Sequence, residues 1–261
     1  MSEALTVITK LSALTFIITS MLAMGLSLTV KEIMDPLRNV KVVLLALLAN
    51  FVLVPALAYV ILLVIPLDDG LATGLIIVAC AAGAPFLPKL VQAAKGNAAF
   101  SVGMMTLLMV ITVIYLPVVL PLLLPGASVS PWDIARSLIL TMLVPLGFGL
   151  FIKARYAETA GNLQPHMSQV SSMAIVLMMV GVLVLGFSTI IATIGTGGIL
   201  AALLFLVGAL IMGLLLGGRD PAMRSVMGLG TAQRNLSAAM LVAVQNFSDQ
   251  PNVLVMIMLI S

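Results

Sequence analysis

The sequence predicts an all-α polytopic membrane protein, on three observations. Of its 261 residues, 62% are hydrophobic and 8% charged, and the mean hydropathy is +1.28. A chain this apolar carries more hydrocarbon than a water-soluble core of its size buries. The apolar residues also fall in runs of about twenty or more, the length that crosses ~30 Å of hydrocarbon. Finally, the charged residues gather at the ends of those runs.

Each run is bounded by a charge or by a Pro/Gly break. Span one, near 5–29, is followed rather than preceded by its basic residues, which marks a retained helix and not a cleaved leader. Span two, near 41–65, starts at Lys41 and ends at "PLDDG"; span three, near 70–94, ends at Lys95. Span four covers 97–123, and span five, 132–153, runs from "PWD" to Lys153. Span six, 167–193, follows the loop-like "NLQPHMSQ". Spans seven (196–217) and eight (221–247) are divided by "GGRDP". A ninth begins at 252 and is too short to cross by Ser261, so a truncated chain is expected. All of 1–261 reads as one transmembrane domain.

Lys31, Arg38, Lys41, Lys95, Lys153, Arg155, Arg219 and Arg224 all follow odd-numbered spans, with Lys10 and Arg136 dissenting. By the positive-inside rule the N-terminus lies outside, and a bacterial inner (plasma) membrane is the expected location. The net charge of +3 therefore needs no nucleic acid to explain it. Cys80 is the only cysteine and His166, in the loop-like stretch, the only histidine, so no disulfide, metal cluster or cofactor is expected.

Two spans are interrupted. Span three contains "CAAGAPFLPKLVQAAKGN", in which Gly83, Pro85 and Pro88 break the helix. Span eight contains "GLGTAQRN", with Gly228, Gly230 and the polar cluster Thr231, Gln233, Arg234 and Asn235. Freed backbone groups are tolerated in lipid only where protein or a wet cavity satisfies them. The breaks lie five spans apart, hence in opposite orientations, which points to inverted repeats whose two discontinuous helices cross at a central site, a transporter fold. The alternative is that the prolines only kink one helix and the glycines only pack the other.

Helical rise puts Arg234 roughly 15 Å beyond Arg224, near the midplane, and Lys89 about 9 Å from Lys95, within partial reach of snorkelling. Glu3, Glu32, Asp35, Asp68, Asp69, Asp133, Glu158, Asp220 and Asp249 all fall in loops or at span ends. A positive field with no buried carboxylate, reinforced by helix N-termini, calls for an anion. Saturation of Arg234 by carbonyls of the unwound segments would satisfy the same chemistry, and both readings stand.

The stretches "MLAMGLSLTVKEI", "ANFVLVPALAYV", "AAKGNAAFSV" and "GTAQRNLSAAMLVAVQNF" resemble, in order and spacing, the bile acid:sodium symporter family over nearly the whole chain. The resemblance implies inverted five-helix repeats, a core domain around the crossed helices, a panel domain, and the nine-helix, N-outside variety. It also implies sodium ligands that this chain has largely replaced. A Ser-Asn pair falls on Leu87 and Pro88, a serine on Ser101, and a threonine on Met105 with Thr106 adjacent. The shared glutamate falls on Gly230, a glutamine on Arg234, and another on Asn50.

The expectation is a secondary transporter that moves a small or amphipathic organic anion by alternating access, without sodium coupling. Its expected substrate-binding residues are Arg234, Lys89, Asn235, Gln233, Thr231 and Asn50, with Ser101 and Thr106 as a residual ion site. The expected partners are that anion and the lipid bilayer, the chain being a monomer or weak homodimer. Two alternatives are an arsenite-permease-type metalloid exporter using Cys80 and a non-transporting membrane ligand sensor. No paired carboxylates and no buried nucleophile with a base suggest an enzyme.

Overall fold

The computed structural model describes residues 2–34, 38–124 and 130–261. Asp35 and the 125–129 part of the "PGASVSPWD" loop, both expected in connections, lie outside them. The described residues form helices without strands: α1 (Ser2–Ser27), α2 (Val30–Met34), α3 (Val40–Leu48), α4 (Val54–Val64), α5 (Asp69–Cys80), α6 (Leu87–Ala93) and α7 (Ala98–Leu123). There follow α8 (Pro131–Leu138), α9 (Val144–Arg155), α10 (Ala157–Ala192), α11 (Gly198–Leu216), α12 (Pro221–Ala232), α13 (Leu236–Asn246) and α14 (Pro251–Ile260). Among the described residues, six stretches are long and apolar enough to cross a membrane: Ala4–Ser27, Val40–Val64, Ala98–Leu123, Pro131–Arg155, Ala157–Leu185 and Gly198–Leu216. The protein is an all-α, multi-pass integral membrane protein.

The polar residues at the span ends cap helices. Asp68 accepts from the backbone N–H groups of Gly70 and Leu71, Asn97 from Phe100, and Asp220 from Ala222. Asp69, Asp133 and Glu158 stand in first turns, where the helix dipole favours negative charge. Thr29 and Glu32 form a capping box before α2: the Thr29 N–H and hydroxyl both donate to Glu32, and the Glu32 N–H donates to the Thr29 hydroxyl.

Two spans contain a π turn, Ala49–Leu53 between α3 and α4 and Ile139–Leu143 between α8 and α9. Each precedes a Val-Pro pair, Val54-Pro55 and Val144-Pro145. Val54 N–H reaches back to Ala49 and Val144 N–H to Ile139. Proline has no N–H to continue the ladder, so the turn widens and carbonyls are left over.

Span six departs from expectation. The "NLQPHMSQ" segment is helical, inside an α10 that begins at Ala157 and contains Pro165. Proline deprives the carbonyl four residues back, on Gly161, of its donor. Gly161 is exposed with open space around it, so water can supply the missing bond. His166 is exposed.

The helices pack as two groups. In one, α1 lies along α9 and α10. Gly25 and Gly149 bring the α1 and α9 backbones together so closely that a Cβ on either would strike the other helix. In the other, α5 packs on α14 and α12 on α11 and α7.

Candidate functional site

The two breaks meet. α5 ends at Cys80 and α6 begins at Leu87, so Gly83 and Pro85 lie in the gap while Pro88 sits in the first turn of α6. Gly83 takes φ +81°, and a Cβ there would run into the Met109 backbone. Both facts demand glycine. Thr112 closes the opened chain: its hydroxyl accepts from the Ala82 N–H and donates to the Ala82 carbonyl, both at 3.0 Å.

The second break is shorter than the sequence suggests. α12 continues through Gly228 and Gly230 to Ala232, and only Gln233 to Asn235 leave the helix. Those two glycines serve packing instead: Gly228 lies against Leu214, and Gly230 against the Met104 methyl and Leu87. Asn235 joins the breaks, its N–H donating to the Ala81 carbonyl at 2.8 Å while its side chain caps α13 through the Ala238 N–H at 3.0 Å.

Arg234 lies between them, 7% exposed. A guanidinium has five N–H donors, and all five are used. Nε donates to the Val78 carbonyl at 3.1 Å; Nη1 donates to Asn50 Oδ1 at 2.7 Å and the Thr231 carbonyl at 3.2 Å. Nη2 donates to the Ala79 carbonyl at 2.6 Å and, at a long 3.5 Å, to the Asn50 carbonyl. The four backbone acceptors lie where helices end or widen, and of these Val78 also accepts from the Ala81 N–H at 3.1 Å. Val78, Ala79 and Thr231 lie in the last turns of α5 and α12, the negative ends of helix dipoles. Asn50 is in the π turn, where Val54 N–H goes to Ala49 instead. The neighbouring Phe51 carbonyl, one turn before Pro55, accepts from the Tyr115 hydroxyl at 2.7 Å. Of the two sequence readings of Arg234, saturation by carbonyls is the one these bonds describe.

Behind Arg234, Asn50, Thr231 and Asn235 are fully buried. Thr231 Oγ1, Gln233 Oε1, Asn235 Nδ2 and Ser237 Oγ are buried with no hydrogen-bond partner among the described residues. Ser101 and Thr106 are not drawn into this cluster. Their hydroxyls donate within α7, to the Ala98 carbonyl at 2.6 Å and the Val102 carbonyl at 2.9 Å. Cys80 is fully buried.

Beside the crossover lies a cavity of about 870 Å³ between the two helix groups. Its walls include Phe16, Ser20, Met24 and Ser27 of α1, Pro85, Lys89, Gln233, Arg234 and Ser237 of the broken segments, and Gln164, Ser168 and Ser171 of α10. Lys89 is exposed, with Nζ 5.5 Å from the centre of the Phe86 ring. Of the residues expected to bind substrate, Arg234, Gln233 and Lys89 line the cavity. Asn50, Thr231 and Asn235 do not. Sequence reading missed the α10 residues, although Gln164, Ser168 and Ser171 repeat at helical spacing along one face.

A family model described as the Sodium Bile acid symporter family matches residues 14–194. The chain is also similar to the "Probable sodium/metabolite cotransporter BASS2, chloroplastic" of Oryza sativa subsp. japonica, 37% identical over 126 residues, which is 48% of this chain and 30% of that protein. It is similar to the "Uncharacterized sodium-dependent transporter YocS" of Bacillus subtilis (strain 168), 28% identical over 161 residues, 60% of this chain and 49% of that protein. The chain thus spans less than half the length of either of these curated relatives.

Proposed function

The chain belongs to the Sodium Bile acid symporter family, and we propose that it is a secondary transporter which moves a small or amphipathic organic anion by alternating access without sodium coupling. One observation carries this reading: Arg234 places a permanent, fully hydrogen-bonded cation where the breaks meet. Another unit cation about 4 Å away would be repelled by about 4 kcal/mol at an effective dielectric near 20. The space at Gly230, where the family resemblance puts a glutamate, is taken by the Met104 methyl and Leu87. Atoms of the protein thus stand where the resemblance puts the ion's ligands, and Arg234 acts as a tethered substitute for it.

The anion occupies the cavity between the helix groups, drawn by Lys89 and Arg234. In this reading α5/α6 and α12/α13 are the corresponding halves of an inverted repeat. Their neighbours support it, since α5 packs on α14 as α12 packs on α7. In this reading the N-terminus is outside, which puts Ser27, Lys89 and Gln164 of the cavity lining toward the cytoplasmic ends of their spans. Cys80 is buried away from this lining, so a metalloid exporter would lack its thiol on the path.

Uptake of organic anions by the full-length chain in proteoliposomes tests the reading, with sodium compared against an inert organic cation at equal ionic strength. Equal rates are expected. A saturable, severalfold sodium stimulation would overturn it. The converse variant, Gly230→Glu with Arg234→Gln, returns two of the family's side chains, and the same assay shows whether sodium dependence appears.

A further inference from the structure

We infer that the wall of α10 facing the crossover reads a hydroxyl group on the transported anion, which makes Gln164, Ser168 and Ser171 specificity-determining residues. The inference rests on the cavity's being the anion site, as proposed above. All three side chains line the cavity, and Ser171 is 7% exposed. Other hydroxyls on the same walls are committed to their own helices: Ser20 donates to the Ile17 carbonyl, Ser27 to Met24, and Ser172 to Ser168. The side chains of Gln164, Ser168 and Ser171 have no such partner among the described residues.

On the opposite wall the unpartnered groups are also buried. Ser237, in the first turn of α13, is 1% exposed, lines the cavity, and has a hydroxyl with no partner; Gln233 Oε1 is also unpartnered. Buried polar groups without partners are unfavourable, so a ligand that completes them gains affinity and an analogue that cannot loses it. These groups are neutral, and each both donates and accepts, as amides and hydroxyls do. Their complement is therefore a group that also does both. A hydroxyl fits, whereas a carboxylate only accepts. The anionic end is drawn by the positive fields of Lys89 and Arg234, leaving the serine and glutamine walls to the neutral polar part of the molecule. Discrimination of this kind is strong, because a site built to bond a hydroxyl is left with unpaired groups by its deoxy analogue.

The test is binding to the full-length chain by calorimetry and thermal shift, using monoanions that differ by one hydroxyl: phenyllactate against 3-phenylpropionate, and lactate against propionate. The hydroxylated member of a pair is expected to bind on the order of tenfold more tightly. In the Ser168→Ala/Ser171→Ala double variant and in Gln164→Leu that ratio is expected to fall toward one, with affinity for the deoxy member changed by less than about twofold. Ser171→Thr should keep the ratio, a rescue that lost packing would not produce. Equal binding of both members by the unaltered chain, or variants that weaken both members alike, would overturn the inference and leave the anion reading intact. Binding of neither member of either pair would overturn the anion reading of the cavity and this inference with it.

Discussion

Arg234 takes both oxygens of Asn50: Nη1 donates to the side-chain Oδ1 at 2.7 Å, and Nη2 lies 3.5 Å from the backbone carbonyl. Asn50 is itself held by its Nδ2, which donates to the Ala46 carbonyl at 3.0 Å. A π turn in one helix and a break in another are thereby completed by one guanidinium.

Arg234→Ala is expected to destabilise the protein even with no anion present, because several helix-end carbonyls lose their donor in a buried place. Each charged hydrogen bond is worth about 1.5–3 kcal/mol. Thermal unfolding in detergent should show a large fall for Ala and a partial one for Lys, which keeps the charge but not the planar fork. An Arg234→Ala protein as stable as the parent would mean that the arginine serves the ligand alone.

Asn50→Leu should cost about 1.5–3 kcal/mol by the same reasoning. Because both residues act in one network, the double variant Asn50→Leu/Arg234→Ala should fall short of the sum of the singles by about 0.5–3 kcal/mol. Additive losses would show that the two sites are independent.

Thr112→Val removes a hydroxyl that both donates to and accepts from Ala82 without changing the shape of the side chain. The buried backbone just past the end of α5 then lacks two partners, and a loss of about 1–3 kcal/mol is expected. Thr112→Ser should recover most of it. Equal losses for Val and Ser would assign the effect to packing.

Two glycines separate conformation from space. Gly83→Ala forces a Cβ onto a left-handed residue and into the Met109 backbone, so at least about 2 kcal/mol should be lost. Gly230→Ala meets only side-chain ends, the Met104 methyl and a Leu87 methyl, and should cost less than about 1.5 kcal/mol. Denaturation of the two variants side by side checks the order.

Lys89→Met should leave stability within about 0.5 kcal/mol, since the side chain is exposed. Its charge at the cavity mouth acts on arriving anions, so uptake should slow at low ionic strength and converge with the parent at high salt. A deficit that persists at high salt would place Lys89 in direct contact with the anion.

The sequence by itself determined the membrane class, the order of the apolar runs and the existence of two breaks. These are local properties: hydropathy, proline's missing donor and charge at a run's end need no partner to be read. The packed chain decided the rest. "NLQPHMSQ" reads as a loop by composition and is helical, because an exposed face leaves water to satisfy the carbonyl that Pro165 deprives. Gly228 and Gly230 read as part of a break and remain helical, because Leu214, Met104 and Leu87 fill the space beside them. Arg234 was legible as a buried cation, but not what holds it. Four of its five acceptors are backbone carbonyls, which every residue has and no residue type announces. Only the meeting of α5, the π turn and α12 determines which carbonyls are within reach.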